Sequence, residues 1–151
     1  MKKILYLAVL LTGLSATAAT TPPDEINEKV LKAFKATFTT AEDVTWKELD
    51  NSSCQANFKI NQITVRALYD NEGNLLETVR YYGENYLPPN IIAKLKKRYA
   101  GKEVFGITEV TSESEVAYHI TLKDEKHWYT VKSDPYANLQ QTDKFKRADG
   151  E

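Results

Sequence analysis

The sequence has few of the residue types from which metal centres and redox sites are built. Its 151 residues include one cysteine, Cys54, and two histidines, His119 and His127. A single cysteine excludes an intramolecular disulfide and a Cys-x-x-Cys motif. A zinc site would need two or more further ligands to converge on the histidines, and nothing in the spacing indicates that. We therefore expect neither a metal site nor a cofactor.

Glycine is also scarce, and the common sequence motifs of catalysis are absent. The six glycines form no phosphate-binding loop, and neither G-x-S-x-G nor H-E-x-x-H occurs. A nucleophile needs a base within hydrogen-bond reach, yet strand alternation directs Cys54 and His119 to opposite faces. Cys54 alternates with Ala56 and Phe58, which favours a small core residue over a reactive thiol. We predict no catalytic residue.

Long apolar runs are missing from all but the N-terminus. Two lysines precede an apolar segment at 4–14, and small residues follow it up to Ala18. This order is typical of a secretory signal peptide, so we expect residues 1–18 to be removed and the mature protein to reach the periplasm. The eleven apolar residues are too few to span a bilayer core of about 30 Å. An uncleaved anchor is the alternative; after cleavage no stable membrane insertion is expected.

Positive charge is not concentrated on the mature chain. Cleavage after Ala18 removes two lysines and no acidic residue, which leaves a net charge of −3. Nucleic-acid binding needs a concentrated basic face, so we expect no nucleic-acid partner. The densest group of basic residues is explained by a solvated helix face, since cations are favourable at the C-terminal end of a helix. A docking patch is the alternative interpretation. That group consists of Lys94, Lys96, Lys97 and Arg98.

What the chain does contain is a pattern that occurs twice. At a shift of 61 residues Phe34 coincides with Leu95, and the flanking apolar positions coincide as well. In each half these residues recur every four positions, which predicts a helix with one buried stripe. Thr21 or Asp24 is expected to cap the first helix. A coincidence between two ordinary α+β halves is the alternative explanation.

Each predicted helix is followed by segments in which apolar and polar residues alternate. Alternation predicts strands, and the short polar turns between them make neighbouring strands antiparallel. The sequence Asp70-Asn71-Glu72-Gly73 is one such turn, because its acidic residues are not spaced as in a calcium loop. The predicted strands are 44–49, 54–60, 63–69 and 75–82 in the first half and 104–110, 116–122, 126–132 and 139–145 in the second.

These elements predict an α+β fold made of two tandem αββββ repeats. Each repeat is a helix packed on a four-stranded antiparallel meander, and the face without a helix stays in contact with water. We assign residues 19–84 to the first repeat and 85–151 to the second, and we expect them to form one globular unit.

The repeated residues also resemble those of a known family. They include Val30-Leu31-Lys32-Ala33-Phe34, Ala67-Leu68-Tyr69-Asp70, Ile91-Ile92-Ala93-Lys94-Leu95 and Trp128-Tyr129-Thr130-Val131. In these the chain resembles the PepSY-like periplasmic proteins of Bacteroidetes, whose fold is similar to that of β-lactamase inhibitory protein. The resemblance implies a periplasmic protein without established enzymatic activity, and inhibition of another protein is suggested by fold analogy alone. The inhibitor's contact residues cannot be transferred, because its two disulfides have no counterpart here.

One surface is the strongest candidate for function. Arginine, tyrosine and tryptophan carry much of the energy of protein interfaces, and alternation directs several of them to the uncovered sheet face. The alternative is that Tyr82 and Trp128 merely cover the junction between the halves. We predict that the face carries Arg66, Leu68, Arg80, Tyr82, His119, Thr121, Trp128 and Thr130, and that Arg66, Tyr82, His119 and Trp128 bind a partner.

The sequence thus favours a non-enzymatic periplasmic binding protein, such as an inhibitor, a chaperone-like factor or a sensor component. Its partner would be an unknown periplasmic protein or peptide. A binder of a small ligand in a pocket between the halves is one alternative, and a hydrolase with unrecognised residues is the other. The missing motifs argue against the hydrolase, whereas a large apolar cavity would favour the small-ligand binder.

Overall fold

The computed structural model describes residues 21–22, 25–50, 52–113 and 115–148, except for the Asp50 side chain. The predicted signal peptide and Asp24 lie outside the described residues. The helices are α1 (Glu28–Thr37) and α2 (Pro89–Arg98), and a 3₁₀ turn (Glu84–Tyr86) precedes α2. The strands are β1 (Glu42–Asp50), β2 (Ser53–Ile60), β3 (Ile63–Asp70), β4 (Leu75–Tyr82), β5 (Glu103–Ser112), β6 (Glu115–Lys123), β7 (His127–Ser133) and β8 (Gln140–Lys146).

Helix α1 is capped by Asn27, whose side chain accepts a hydrogen bond from the Lys29 backbone N–H at 2.9 Å. The prediction that Thr21 caps this helix is therefore wrong. The Thr21 hydroxyl instead accepts from the Glu48 N–H at 3.0 Å, and the Thr21 N–H donates to the Trp46 carbonyl at 2.8 Å. Asn27 directly precedes the first turn, where a side-chain oxygen can reach the free N–H groups.

Both helices bury the predicted apolar stripe. Phe34 in α1 and Leu95 in α2 are buried, as predicted. Pro89 occupies the first position of α2, where its missing N–H costs no helical hydrogen bond. Within the described part of the chain, neither helix has the length and apolar character needed to cross a membrane. The last turn of α2 exposes Lys96, Lys97 and Arg98.

The eight strands form one antiparallel sheet in sequential order from β1 to β8. Strands β4 and β5 pair continuously, from Glu77 opposite Ser112 to Tyr82 opposite Ile107. The predicted architecture of two tandem αββββ repeats, each with its own four-stranded sheet, is therefore wrong. Two separate meanders would leave the backbone groups along one edge of β4 and of β5 unpaired, and joining the strands satisfies both rows.

A single hydrophobic core lies between the sheet and the two helices. Buried side chains of both helices belong to one cluster with the inward residues of the strands. We call this side of the sheet the helix face and the opposite side the outer face. On the helix face Cys54 and Ala56 of β2 lie opposite Tyr69 and Ala67 of β3, in agreement with the predicted alternation.

The two edge strands differ in how they are protected from pairing with another chain. Thr21 forms a bridge with Trp46 and so occupies part of the free edge of β1. Strand β8 is exposed along its whole length and carries Lys144 and Lys146. Charged side chains of this kind discourage further strand addition.

Candidate functional site

The outer face lacks a helix, and the strand register shows which side chains meet there. Tyr81 of β4 lies opposite Thr108 of β5, which in turn lies opposite His119 of β6. Tyr81 and His119 are therefore two strands apart, or about 10 Å. Arg66 of β3 reaches this row, because its Nη2 donates to the Tyr81 hydroxyl at 3.1 Å. We call Arg66, Tyr81 and His119 the central patch.

The central patch has an apolar base. Val79 lies opposite Arg66 on β3 and opposite Val110 on β5, and it is only 3% exposed. It does not belong to the core cluster on the helix face. Neighbouring side chains of the outer face must therefore cover Val79.

A second group of side chains lies at one end of strands β5 to β8. Trp128 of β7 lies opposite Phe145 of β8, and its ring meets Phe105 edge to face with ring centroids 4.8 Å apart. The Arg147 guanidinium lies 5.3 Å from the centre of the Trp128 ring. Phe105 is 61% exposed and Phe145 is 57% exposed. We call Phe105, Trp128 and Phe145 the aromatic corner.

Small residues separate the central patch from the aromatic corner. Thr121 of β6 follows His119 by two residues and lies between Gly106 of β5 and Thr130 of β7. A Cβ atom placed on Gly106 would meet no other atom within 4 Å. The outer face is therefore open at this position, which we call the floor.

The four predicted site residues are not brought together. Arg66 and His119 lie in the central patch, whereas Trp128 lies in the aromatic corner. From the spacing of strands and residues, Trp128 is about 14 Å from His119 and about 28 Å from Arg66. A partner would have to cross the floor to contact all three.

The prediction that Tyr82 lies on the outer face is wrong. The register shifts at the start of β4, where Leu75 lies opposite Tyr69 but Glu77 lies opposite Leu68. The extra residue turns the rest of β4 to the face opposite to the one that simple alternation predicts. Tyr82 is consequently 8% exposed and belongs to the core on the helix face.

Arg80, also predicted on the outer face, accompanies Tyr82 on the helix face. Both contact Glu109 of β5: the Tyr82 hydroxyl donates to Oε2, and Arg80 Nη1 donates to Oε1 at 3.1 Å. Burial, followed by the Glu109 carboxylate, raises the pKa of the Tyr82 hydroxyl well above its ordinary value. The phenol therefore remains a hydrogen-bond donor to Glu109.

Sequence reasoning missed three aromatic residues of the outer face. The bulge that turns Tyr82 inward turns Tyr81 outward, and a second register shift between Val104 and Gly106 accompanies the outward position of Phe105. Phe145 had a signal in the sequence, since it stands between two lysines in an otherwise polar segment. Such a segment is more typical of an exposed edge than of a core strand.

The structure separates Cys54 from His119, as alternation predicts, because Cys54 lies in the core and His119 on the outer face. Burial, followed by the charge of Glu48, raises the pKa of the Cys54 thiol and disfavours the nucleophilic thiolate. His127 is half-buried, with Nδ1 3.6 Å from an oxygen of Asp124. Over the described ranges, no group of three or more His, Cys, Asp and Glu side chains is arranged to hold a metal ion.

Several solved structures share this fold. A BLIP-like protein of Bacteroides fragilis has a TM-score of 0.62 at 15% identity, over 83% of this chain and 89% of that one. A Bacteroides eggerthii protein provisionally described as periplasmic has a TM-score of 0.61 at 14% identity, over 80% and 88% of the two chains. A DUF2874 family protein of Bacteroides ovatus has a TM-score of 0.60 at 21% identity, over 85% and 90%. No family model and no curated protein sequence matches the chain.

Identities of this size show the fold alone. The chain has a BLIP-like fold, which confirms the similarity to the fold of β-lactamase inhibitory protein that the family resemblance implied. The PepSY-like name is not confirmed by these neighbours and stays a prediction.

Proposed function

We propose that the protein is an exported, non-enzymatic binding protein that contacts a protein or peptide partner through its outer face. The observation that carries the proposal is the position of the central patch and the aromatic corner on either side of the open floor at Gly106. An extended segment lying across this floor would contact both groups. Arginine, tyrosine and tryptophan side chains in such positions are the usual anchors of protein interfaces.

The aromatic corner supports this proposal because it is a cluster and not a single exposed ring. Phe105 and Phe145 each leave more than half of their surface in water, on both sides of Trp128. Phenylalanine has no polar atom that benefits from this exposure, so burial against a partner is favourable in proportion to the apolar area covered. Contiguous apolar surface of this kind often marks an interaction site.

Binding is tested by capturing partners from a periplasmic extract with the mature protein and titrating the purified partner against variants. Trp128→Ala and Arg66→Ala should each weaken binding by tens of fold, because an anchor contributes on the order of 2 kcal/mol and each 1.4 kcal/mol is about tenfold. Gly106→Gln should block the floor without strain, since nothing lies within 4 Å of the added Cβ.

The matched control is Lys97→Ala on α2, which lies away from the outer face and should bind like the parent. Circular dichroism of each variant separates lost binding from lost folding. If Trp128→Ala, Arg66→Ala and Gly106→Gln all bind normally, the outer face is not the site, and the basic residues of α2 become the next candidate.

The absence of catalysis is part of the proposal. His119→Ala and Cys54→Ser should change no hydrolytic activity, because one side chain is on the outer face and the other is in the core. The pure protein is assayed against ester, peptide and glycoside substrates. Reproducible turnover that one of these substitutions abolishes would contradict a non-enzymatic role.

Export and the PepSY-like family also belong to the proposal. The description of one neighbour as periplasmic supports export. The exported protein should begin at Ala19 or Thr20, as intact-mass measurement of the periplasmic form will show. Retention of Lys2 and Lys3 in that form would contradict cleavage.

A further inference from the structure

A cavity of about 250 Å³ lies on the helix face, on the opposite side of the sheet from the proposed partner site. It is next to the end of α1, because the C-cap residue Phe38 forms part of its wall. The wall is mostly apolar, with two polar side chains from β4. The lining residues are Phe38, Ile60, Ile63, Val65, Thr78 and Arg80.

The apolar part of the wall is held firmly. The Phe38 ring packs on Phe58 and on Phe34, with centroid distances of 4.7 and 5.5 Å. Ile63 and Val65 of β3 are themselves buried members of the core. The apolar wall therefore borders the packed core, while the side of the cavity at Arg80 is open to solvent. An apolar cavity of about 150 Å³ accommodates benzene, so this one has room for a ring and a short linker.

The charged part of the wall is the Arg80 guanidinium, which has fixed partners but keeps N–H donors for a further one. Arg80 Nη1 donates to Glu109, and its guanidinium lies 5.4 Å from the centre of the Tyr82 ring. The Arg80 side chain nevertheless remains 40% exposed. A guanidinium has five N–H donors in a planar fork, so one carboxylate partner leaves donors for a second.

We propose that this cavity binds a carboxylate joined to an apolar group of phenyl or isobutyl size. The apolar group occupies the space beside Phe38, Ile63 and Val65, and the carboxylate shares the Arg80 guanidinium with Glu109. An apolar pocket with a few convergent polar groups is the usual form of a small-ligand site. Free carboxylic acids and the C-terminal residue of a peptide both offer this chemistry.

The test uses the mature protein and 3-phenylpropionate, followed in ¹H–¹⁵N NMR spectra. Saturable shifts are expected at the amides of Ile63, Val65 and Arg80. The neutral 3-phenylpropionamide should bind about tenfold more weakly, because it cannot form a charge-assisted pair with arginine. Absence of saturable shifts at these amides, or equal affinity for acid and amide, would overturn the proposal.

Two variants separate the roles of charge and space. Arg80→Gln keeps the cavity and removes the cation, whereas Thr78→Leu keeps the cation and fills the cavity. Each should weaken 3-phenylpropionate by about tenfold or more. If Arg80→Gln fails to fold because Glu109 loses its partner, Thr78→Leu decides alone, and unchanged binding by that variant overturns the proposal. Lys32→Gln, which removes an exposed cation of α1 outside the cavity lining, is the matched control and should bind normally.

A pair of peptides distinguishes a peptide C-terminus from a small carboxylic acid as the source of the carboxylate. Acetyl-Gly-Phe with a free C-terminus is compared with the same peptide as its C-terminal amide. Binding of the free peptide at the same amides identifies a peptide terminus as an accepted ligand, and binding of 3-phenylpropionate alone restricts the site to small acids. Neither result depends on the outer-face partner, so the two proposals fail independently.

Discussion

Two turns of the molecule have nearly the same hydrogen bonds but different residues at the critical position. Asp70 accepts from the Asn74 backbone N–H at 2.9 Å and from its side-chain amide at 2.8 Å. Asp134 accepts from the corresponding groups of Asn138 at 2.9 and 2.6 Å. The first turn follows β3 and the second follows β7, so each lies after the third strand of its half.

The residue before each asparagine has a positive φ, but it is glycine in one turn and alanine in the other. Gly73 has φ +87° and Ala137 has φ +62°. A Cβ on Gly73 would lie 2.9 Å from the Lys29 carbonyl oxygen of α1. The Ala137 methyl is instead buried in the core. The same turn therefore requires glycine where a helix backbone approaches it and accepts alanine where a methyl group fills space.

Both turns also tie a helix to the sheet. Lys29 of α1 forms an ion pair with Glu72 in the first turn. Asn90 of α2 donates from its side-chain amide to the Pro135 carbonyl in the second, at 2.8 Å. Each helix thus has a polar contact with its own turn, although both pack on one sheet and one core.

The largest expected effect concerns that shared core. Phe34→Ala should destabilise the protein by about 3–5 kcal/mol and Leu95→Ala by about 2–5 kcal/mol, through lost burial and the cavity left behind. Because one cluster joins both helices, denaturant unfolding of either variant should remain a single transition. Leu49→Ala, at an exposed position, is the control and should shift the midpoint little. Separate unfolding of the two halves would contradict a common core.

The next effect addresses the contrast between Gly73 and Ala137 directly. Gly73→Ala should cost about 1–3 kcal/mol, since a non-glycine residue in the left-handed region costs about 1–2 kcal/mol and the Lys29 carbonyl must also move. Gly83→Ala is the matched control, because its φ is −92° and no atom lies within 4 Å of the added Cβ. Urea denaturation measures both variants, and equal midpoints would contradict both the strain at the positive φ and the close approach of Lys29.

The two turns differ in which hydrogen bond from asparagine contributes most to lowering the pKa of the aspartate. Hydrogen bonds from Asn74, first its side-chain amide and then its backbone N–H, lower the pKa of Asp70 below the ordinary 3.8. For Asp134, which is lowered as well, the Asn138 backbone N–H comes first. Asn74→Ala and Asn138→Ala should therefore each raise the pKa of the aspartate in the same turn, because each removes a side-chain hydrogen bond to the carboxylate. Carboxyl ¹³C NMR titration measures each shift.

The sign of the resulting stability change follows from linkage. A carboxyl whose folded pKa is lowered stabilises the fold fully above its unfolded pKa, and this stabilisation disappears as the pH falls through the folded value. The double variant Asp70→Asn, Asp134→Asn should therefore lose less stability than the parent between about pH 5 and pH 2. If the parent and the double variant lose the same stability between these pH values, the two carboxylates do not have this role.

The smallest expected effect is that of Ala137→Gly. Removing the strain of a positive φ gains about 1–2 kcal/mol, while the lost methyl burial costs about 0.8 kcal/mol and the added freedom of the unfolded chain about 0.4–1 kcal/mol. The net change should lie within about 1 kcal/mol of zero. Thermal unfolding measures the change. A loss of stability as large as that of Gly73→Ala would show that burial of the methyl group outweighs the strain of the positive φ at Ala137.

Much of the candidate site was predictable from the sequence, except where the strand register changes. Arg66, His119 and Trp128 lie on the outer face as alternation predicts. Tyr82 and Tyr81 exchange faces because of the bulge at the start of β4. A bulge depends on the pairing partner as much as on the strand itself, so one sequence read alone does not reveal it.

The sequence alone determined the helices, the strands and the inward side of most of them, because hydrophobic periodicity is a local property. The tertiary structure decided that β4 and β5 join into one sheet, that Tyr82 and Arg80 face the helices, and that a cavity remains beside Phe38. Each of these depends on which backbone edges and side chains meet across long stretches of chain. Such contacts satisfy hydrogen bonds and fill space only once the whole sheet has assembled.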